Sequence, residues 1–248
     1  MKTLPAWTML ALFLAGPLAL LVRVSLCESG QGRGFYVPAT WTLAAYCDIF
    51  TDPVTRGILL FSVLAGLGIT VMTLMIAYSL ALFIHGLDDQ PRRYVLSLVV
   101  FPKLCNVLAL IYGLQLLLPR GLIGVVLTEV YLLLPYAILL IVAGMGRIEK
   151  SLIDAARGLG ASRRQTFMRV TLPLSWPGLL AATQLTLLWA MAAVLGPIFF
   201  GGPESTTLAV ELQRQATEYN RWPRAAALAV LLMIVLTPIL WMGSRETN

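Results

Sequence analysis

The chain has 248 residues, 58% of them hydrophobic and 12% charged, with a mean hydropathy of +0.83 and a formal net charge of +6. That composition excludes an ordinary water-soluble surface and makes the lipid bilayer the solvent to reason with. A basic balance also suits nucleic-acid binding, so the placement of the cations has to separate that class from membrane orientation.

A helix rises about 1.5 Å per residue and the hydrocarbon core is about 30 Å thick, so a spanning helix needs roughly 20 mostly apolar residues. Six stretches qualify, at residues 4–26, 57–84, 94–118, 121–145, 178–200 and 225–242. The expected fold class is therefore an all-α membrane protein with six transmembrane helices in a single transmembrane domain over 1–248. The first stretch is long, carries Pro17 and Arg23, and lacks a small-residue cleavage pattern before Cys27, so it reads as a retained span and not a secretory signal. Cys27 and Cys47 share the loop that follows; an oxidising compartment permits a bridge there, and their spacing leaves the pairing open. With Cys105 placed inside a span, three cysteines are too few for a disulfide-built scaffold.

Between the second and third spans, Asp88, Asp89, Arg92 and Arg93 stay in water, and Pro119 to Gly121 forms a tight hairpin between the third and fourth. With a cytoplasmic N-terminus, one side of the membrane holds Lys2, Arg92, Arg93, Arg147, Lys150, Arg157, Arg163, Arg164, Arg169 and Arg245, against Arg33, Arg56, Arg120, Arg214, Arg221 and Arg224 on the other. The bias favours orientation over nucleic-acid binding and puts both termini in the cytoplasm. The outer loops, 27–56 and 201–224, carry aromatic and polar residues suited to interfacial helices or a docking surface. Glu204, Glu211 and Glu218 serve there either as docking charges or as solvated side chains.

The cytoplasmic segment 146–177 holds most of the pattern. Ile148, Leu152, Ile153, Ala156 and Leu159 follow helical spacing, with Glu149, Lys150, Asp154 and Arg157 on the remaining surface. Gly158 and Gly160 interrupt this amphipathic helix, Ser162 is placed to cap a second one from Arg163, and Pro173 and Pro177 mark the approach to the fifth span. Helix, turn, helix is the expectation.

Within it, Asp154-Ala155-Ala156-Arg157-Gly158-Leu159-Gly160, nine further residues, and Val170-Thr171-Leu172-Pro173 resemble the cytoplasmic "EAA" signature of binding-protein-dependent ABC importer permeases. Asp154 replaces a glutamate and Val170 an isoleucine. Trp41-Thr42-Leu43-Ala44-Ala45-Tyr46 and Phe50-Thr51-Asp52-Pro53 look like the spermidine/putrescine-type branch, so the resemblance covers nearly the whole chain. It implies a type I importer permease with a cytoplasmic coupling helix, paired with a second permease chain or a copy of itself, a cytoplasmic ATPase dimer and an extracytoplasmic solute-binding protein. ATP and Mg then belong to the ATPase, and no cofactor to this chain, which has no Gly-x-x-x-x-Gly-Lys-Ser/Thr phosphate loop.

In that frame Leu152 and Leu159 act as apolar anchors and Ala155, Ala156 and Gly160 leave room for close approach. Arg157, Arg163 and Arg164 meet acidic ATPase residues or lipid headgroups, with Asp154 heading the motif. Asp-Ala-Ala before a glycine is by itself also an ordinary surface helix and its cap. The distant Leu172-Pro173 and the position before the fifth span favour the coupling role.

Inside the spans, a charge is expensive unless it faces protein or water, so Lys103 and Glu129 are transport-path candidates or structural pins. Counted from the hairpin they lie about 24 Å and about 12 Å along their spans, so direct pairing needs side-chain reach or an offset. Asn106 and Gln184 are further candidates, more in keeping with Gln115 as amides that join helices. Pro102, Pro135, Pro197 and Pro238 are possible kinks, Gly196-Pro197 the best hinge among them, and His85 reads as an interfacial loop residue. A secondary transporter driven by an ion gradient would use Lys103 and Glu129 as relays yet leaves the cytoplasmic motif unexplained. A membrane enzyme needs a His, Ser or Cys constellation that is missing, and no cysteine or carboxylate cluster has metal-site spacing. The resemblance suggests a polyamine as solute, while similar permeases carry ferric iron, thiamine, sulfate and organophosphonates.

Overall fold

A computed structural model describes residues 9, 11–30, 35–146 and 148–244. Lys2, Arg33, Arg147, Arg245 and the first residues of the expected first span lie outside them. In chain order the helices are α1 (Gly16–Ser25, after a π-helical turn Ala11–Ala15), α2 (Ala44–Thr51), α3 (Pro53–Gly86), α4 (Asp89–Val100), α5 (Val107–Gln115), α6 (Leu122–Met145), α7 (Lys150–Gly158), α8 (Arg163–Thr166), α9 (Leu172–Met191), α10 (Leu195–Phe200), α11 (Leu208–Thr217) and α12 (Trp222–Ser244). Two antiparallel two-residue strands, β1 (Glu28–Ser29) and β2 (Tyr36–Val37), sit between α1 and α2.

The chain divides into two compact units, Met1–Ser62 with Thr206–Pro238, and Val63–Ser205 with Ile239–Asn248. In the first, Ala45 and Ile49 of α2 pack with Leu208 of α11 and Ala227 and Leu228 of α12. Arg23 bridges α1 to the loop after β2: it donates to Cys27 Sγ at 2.9 Å and to the Thr40 carbonyl at 3.0 Å, and lies 4.0 Å over the Trp41 ring. Cys27 is buried in this contact and Cys47 is exposed, and no disulfide joins them in this structure.

Asp52 caps α3. Its carboxylate accepts from the Val54 amide at 3.0 Å, the Thr55 hydroxyl at 2.6 Å and the Arg224 guanidinium of α12 at 2.9 Å. The Thr55 hydroxyl, then the Val54 amide and Arg224, hold the Asp52 carboxyl below its ordinary 3.8.

In the second unit, the core is Ala77, Ala81 and Ile84 of α3 against Ala137, Ile138, Ile141 and Met145 of α6, with Ala182 of α9. Small residues let backbones touch: a Cβ added at Gly178 would stand 2.8 Å from Gly144 Cα, so α6 and α9 cross in direct main-chain contact. Tyr78 Oη and Ser175 Oγ, 2.8 Å apart, tie α3 to α9. His85 is not in a loop; it is in the last turn of α3 and 9% exposed, because the helix continues past the expected end of the span to Gly86.

Among the described residues, α3 and α6 are long and apolar enough to cross a membrane, and α4 with its extension and α5 count as a third if a bent pair is one span. The sequence expectation for 94–118 was a single span. The structure breaks it: α4 gives way to a 3-10 turn, Phe101–Leu104, and the axis turns by 91° before α5. Pro102 favours the tighter turn, Cys105 is extended, and Asn106 restarts the helix as its N-cap. The expected fifth span also divides, into α9 and α10, with a non-helical step at 192–194.

Candidate functional site

The broken helix and the step after α9 both open onto one cavity of about 400 Å³ in the second unit. α6 presents Glu129, Leu132 and Tyr136 to it, at i, i+3 and i+7, which is one face of a helix two turns long. Lys103, Trp189 and Leu195 complete the wall around them. Pro135, inside α6, removes the amide that the Tyr131 carbonyl would otherwise receive and loosens this stretch of the helix.

Lys103 reaches in from the 3-10 turn. Its ammonium donates to the Leu132 carbonyl and lies 4.7 Å over the Tyr136 ring. Tyr136 in turn stacks on Trp189, ring centroids 5.6 Å apart at 30°. Glu129 is 1% exposed. Its Oε1 accepts from the Gly196 amide at 3.0 Å, and its Oε2 has no hydrogen-bond partner. Among the described residues no ion pair joins Lys103 to Glu129; they share the cavity and compensate each other there without contact.

Gly196 is therefore a close-approach position before it is a hinge. A Cβ there would sit 2.6 Å from Glu129 Oε1, and the helix is interrupted just before it, at 192–194. Of the four transport-path candidates, Lys103 and Glu129 line the cavity and Asn106 and Gln184 do not. Asn106 is exposed and spends its side-chain oxygen on the Leu108 amide at 2.8 Å, as a helix cap. Gln184 is half-buried on α9. Gln115 joins helices as expected, donating to the Phe199 carbonyl at 2.8 Å. Tyr136 and Trp189 join the site beyond the charged and amide candidates, and the sequence signal that finds Tyr136 is its spacing of seven from Glu129.

The second cluster is the segment around α7. Ile148 is 4% exposed and belongs to the core with Met145 and Ile141, and Ile153 packs partly against it. The rest of that apolar stripe is uncovered: Leu152 is 48% and Leu159 89% exposed, and Asp154, Ala155, Arg157, Arg163 and Arg164 are exposed as well. Ala156 is half-buried.

The turn after α7 is a complete Schellman cap. Ala161 N–H donates to the Ala156 carbonyl at 3.1 Å, Gly160 N–H to Arg157 at 2.9 Å, and Gly160 takes φ +85. Gly160 had been read as leaving room for a partner; its backbone conformation supplies a separate and sufficient reason for glycine. Ser162 then caps α8 reciprocally with Gln165, as expected from the sequence. The helix runs on through a π-helical turn, Phe167–Thr171, directly into α9, so Pro173 follows that turn inside a continuous helical run and withholds the amide that the Arg169 carbonyl would receive in an unbroken α-helix. Phe167 meets Tyr78 edge to face at 6.0 Å, which roots this end of the segment in the second unit. No group of three metal-ligating side chains occurs among the described residues.

Residues 35–244 match the model of the family described as "Binding-protein-dependent transport system inner membrane component". The spermidine/putrescine transport system permease protein PotB of Salmonella typhimurium (strain SL1344) is 29% identical, covering 99% of this chain and 93% of its own. PotB of Escherichia coli (strain K12) is also 29% identical, over 99% of this chain and 97% of its own. Among solved structures, a bacterial ABC transporter involved in the import of the acidic polysaccharide alginate superposes with a TM-score of 0.78, at 18% identity, over 100% of this chain and 95% of that one.

Proposed function

The chain belongs to the family of binding-protein-dependent transport system inner membrane components, and from that premise we propose that it is the permease of an ATP-driven importer for an organic polycation of the spermidine/putrescine kind. It is a transport component and not an enzyme. The full-length likeness to spermidine/putrescine permeases supports the choice of solute, and a buried carboxylate beside two aromatic rings suits an amine.

The observation that carries the coupling role is the contrast along the segment Ile148 to Leu159: Ile148, just before α7, lies in the core and Ile153 packs against it, while Leu152 and Leu159 are exposed. Burying one leucine against a partner contributes about 1.5 to 3 kcal/mol, which makes that face a handle for a cytosolic ATPase pair. ATP and Mg are bound by the ATPase, with Asp154, Ala155, Ala156, Arg157 and Gly160 shaping the contact and Arg163 and Arg164 at its edge. Six membrane crossings with both termini cytoplasmic, a second permease copy or chain, and an extracytoplasmic binding protein complete the assembly, with the broken helices α4–α5 and α9–α10 each serving as one crossing. Ion-driven transport is not favoured, since it leaves the exposed face of α7 without a purpose.

The test is ATP-dependent uptake of labelled spermidine by the reconstituted complex with Leu159→Asp. Loss of uptake and of ATPase co-purification, with an unchanged thermal midpoint of the permease, is the expected result. Full uptake by the variant, or uptake by the isolated chain on an ion gradient, overturns it.

A further inference from the structure

We infer that the cavity at Glu129 is an ammonium-recognition site kept filled by the chain's own Lys103, and that an organic amine in transit enters it by exchanging with that side chain. The inference rests on the amine-importer function proposed above and assigns the residues that meet the solute.

A site for a primary ammonium needs an anion, carbonyl oxygens and an aromatic face, in a space that excludes bulk water. All three are here: Glu129, the Leu132 carbonyl and the ring of Tyr136, which is braced by Trp189. Lys103 already uses the carbonyl and the ring. Glu129 is held in place by one oxygen, through Gly196, and its other oxygen is buried without a partner. That unused acceptor is the part of the site that Lys103 does not satisfy.

The charge balance explains why the occupant is tethered. With Lys103 inside, the cavity carries one positive and one negative side chain; without it, a buried carboxylate would stand alone, which is unfavourable in a desolvated site. An incoming amine restores the same balance when the lysine leaves, so exchange avoids both an empty anionic cavity and a doubly cationic one. Lys103 has the means to leave: it sits on a short 3-10 turn between α4 and α5, on a flexible four-carbon stem.

The chain has three lysines, Lys2, Lys103 and Lys150, so amine-reactive labelling can be read at Lys103 by peptide mass. The experiment uses the assembled transporter in nanodiscs, with butane-1,4-diamine as the probe, and measures Lys103 labelling, diamine binding and ATP-driven diamine uptake. Exchange predicts that Lys103 labelling rises with diamine to a plateau, that Glu129→Gln abolishes this response, and that Lys103→Met binds the diamine about thirtyfold tighter, the scale of one desolvated cation–π contact. Lys103 labelling that ignores saturating diamine, or Lys103→Met binding no tighter than wild type, overturns the inference. Uptake with Lys103 still protected removes the exchange and leaves amine import standing; a labelling response without uptake keeps the site and removes the proposed solute.

Discussion

Replacing Gly160 tests what the turn after α7 requires, because two explanations for that glycine predict opposite orders. Gly160 takes φ +85, and a Cβ built there meets nothing within 4 Å, so within this chain only the backbone conformation resists a side chain. An L-residue in the left-handed region costs roughly 1 to 2 kcal/mol, with asparagine penalised least because its side chain bonds locally. That cost changes the population of the closed turn by about 5- to 30-fold. Conformation therefore predicts that Gly160→Asn is milder than Gly160→Ala. Close approach of an ATPase predicts the reverse, since asparagine is larger. Hydrogen exchange at the Gly160 and Ala161 amides, which close the Schellman bonds, reports the turn, and ATPase stimulation in the reconstituted complex reports the coupling. If both readouts follow side-chain size, with alanine tolerated and asparagine not, the conformational explanation is refuted.

At the crossing of α6 and α9, Gly178→Ala puts a methyl 2.8 Å from Gly144 Cα and 2.9 Å from the Leu140 carbonyl, so one helix must shift. A loss of about 1 to 3 kcal/mol is expected, read as a lower thermal midpoint in detergent, and an unchanged midpoint would show that the helices do not touch there. Asp52 gives a pH signature. Its carboxyl is held below 3.8 in the folded chain, so its contribution is complete above that value and disappears as pH falls through the lower folded one. Exchange at the Val54 and Thr55 amides should accelerate in that acid window in the wild type, and Asp52→Asn should abolish the change; acid-insensitive exchange in the wild type argues against the cap.

Apolar length made the helices legible, and it also hid their interruptions. A window of about 20 residues averages over Phe101 to Asn106, although Pro102 and an asparagine ahead of an apolar run are both local stop and start signals. The same averaging joined α9 to α10 across residues 192–194, although Gly196-Pro197 just beyond is a local signal against an unbroken helix, since Pro197 has no amide for the Ala193 carbonyl. The cap at Ser162 and the amphipathic face of α7 were readable because they are local, set by spacings of three and four. Lys103 and Glu129 were readable as a pair of costly charges. Their meeting place was not, since counting residues along two straight spans put them about 12 Å apart in depth, and only the bent helix brings the lysine to α6.

Both ends of the proposed machine hang on the same two helices. α6 carries Glu129 and Tyr136 in the cavity and ends at Met145, next to the buried root of α7. α9 begins where α8 and its π-helical turn end, and finishes at the step that lines the cavity. Sixteen residues separate Glu129 from Met145, about 24 Å of helix, and Gly144 and Gly178 lock α6 to α9 near the end of α6 that leads to α7. A pull on α7 reaches the crossing through the short connection from Ile148 back to Met145, and the contact at the crossing is backbone on backbone. Past the crossing, the irregular points on the two helices are Pro135, one residue from the lysine's aromatic seat at Tyr136, and the non-helical step at 192–194, which leads into the glycine that fixes Glu129. Displacement would be released at the two places that hold Lys103 and Glu129, and that is where an importer needs it.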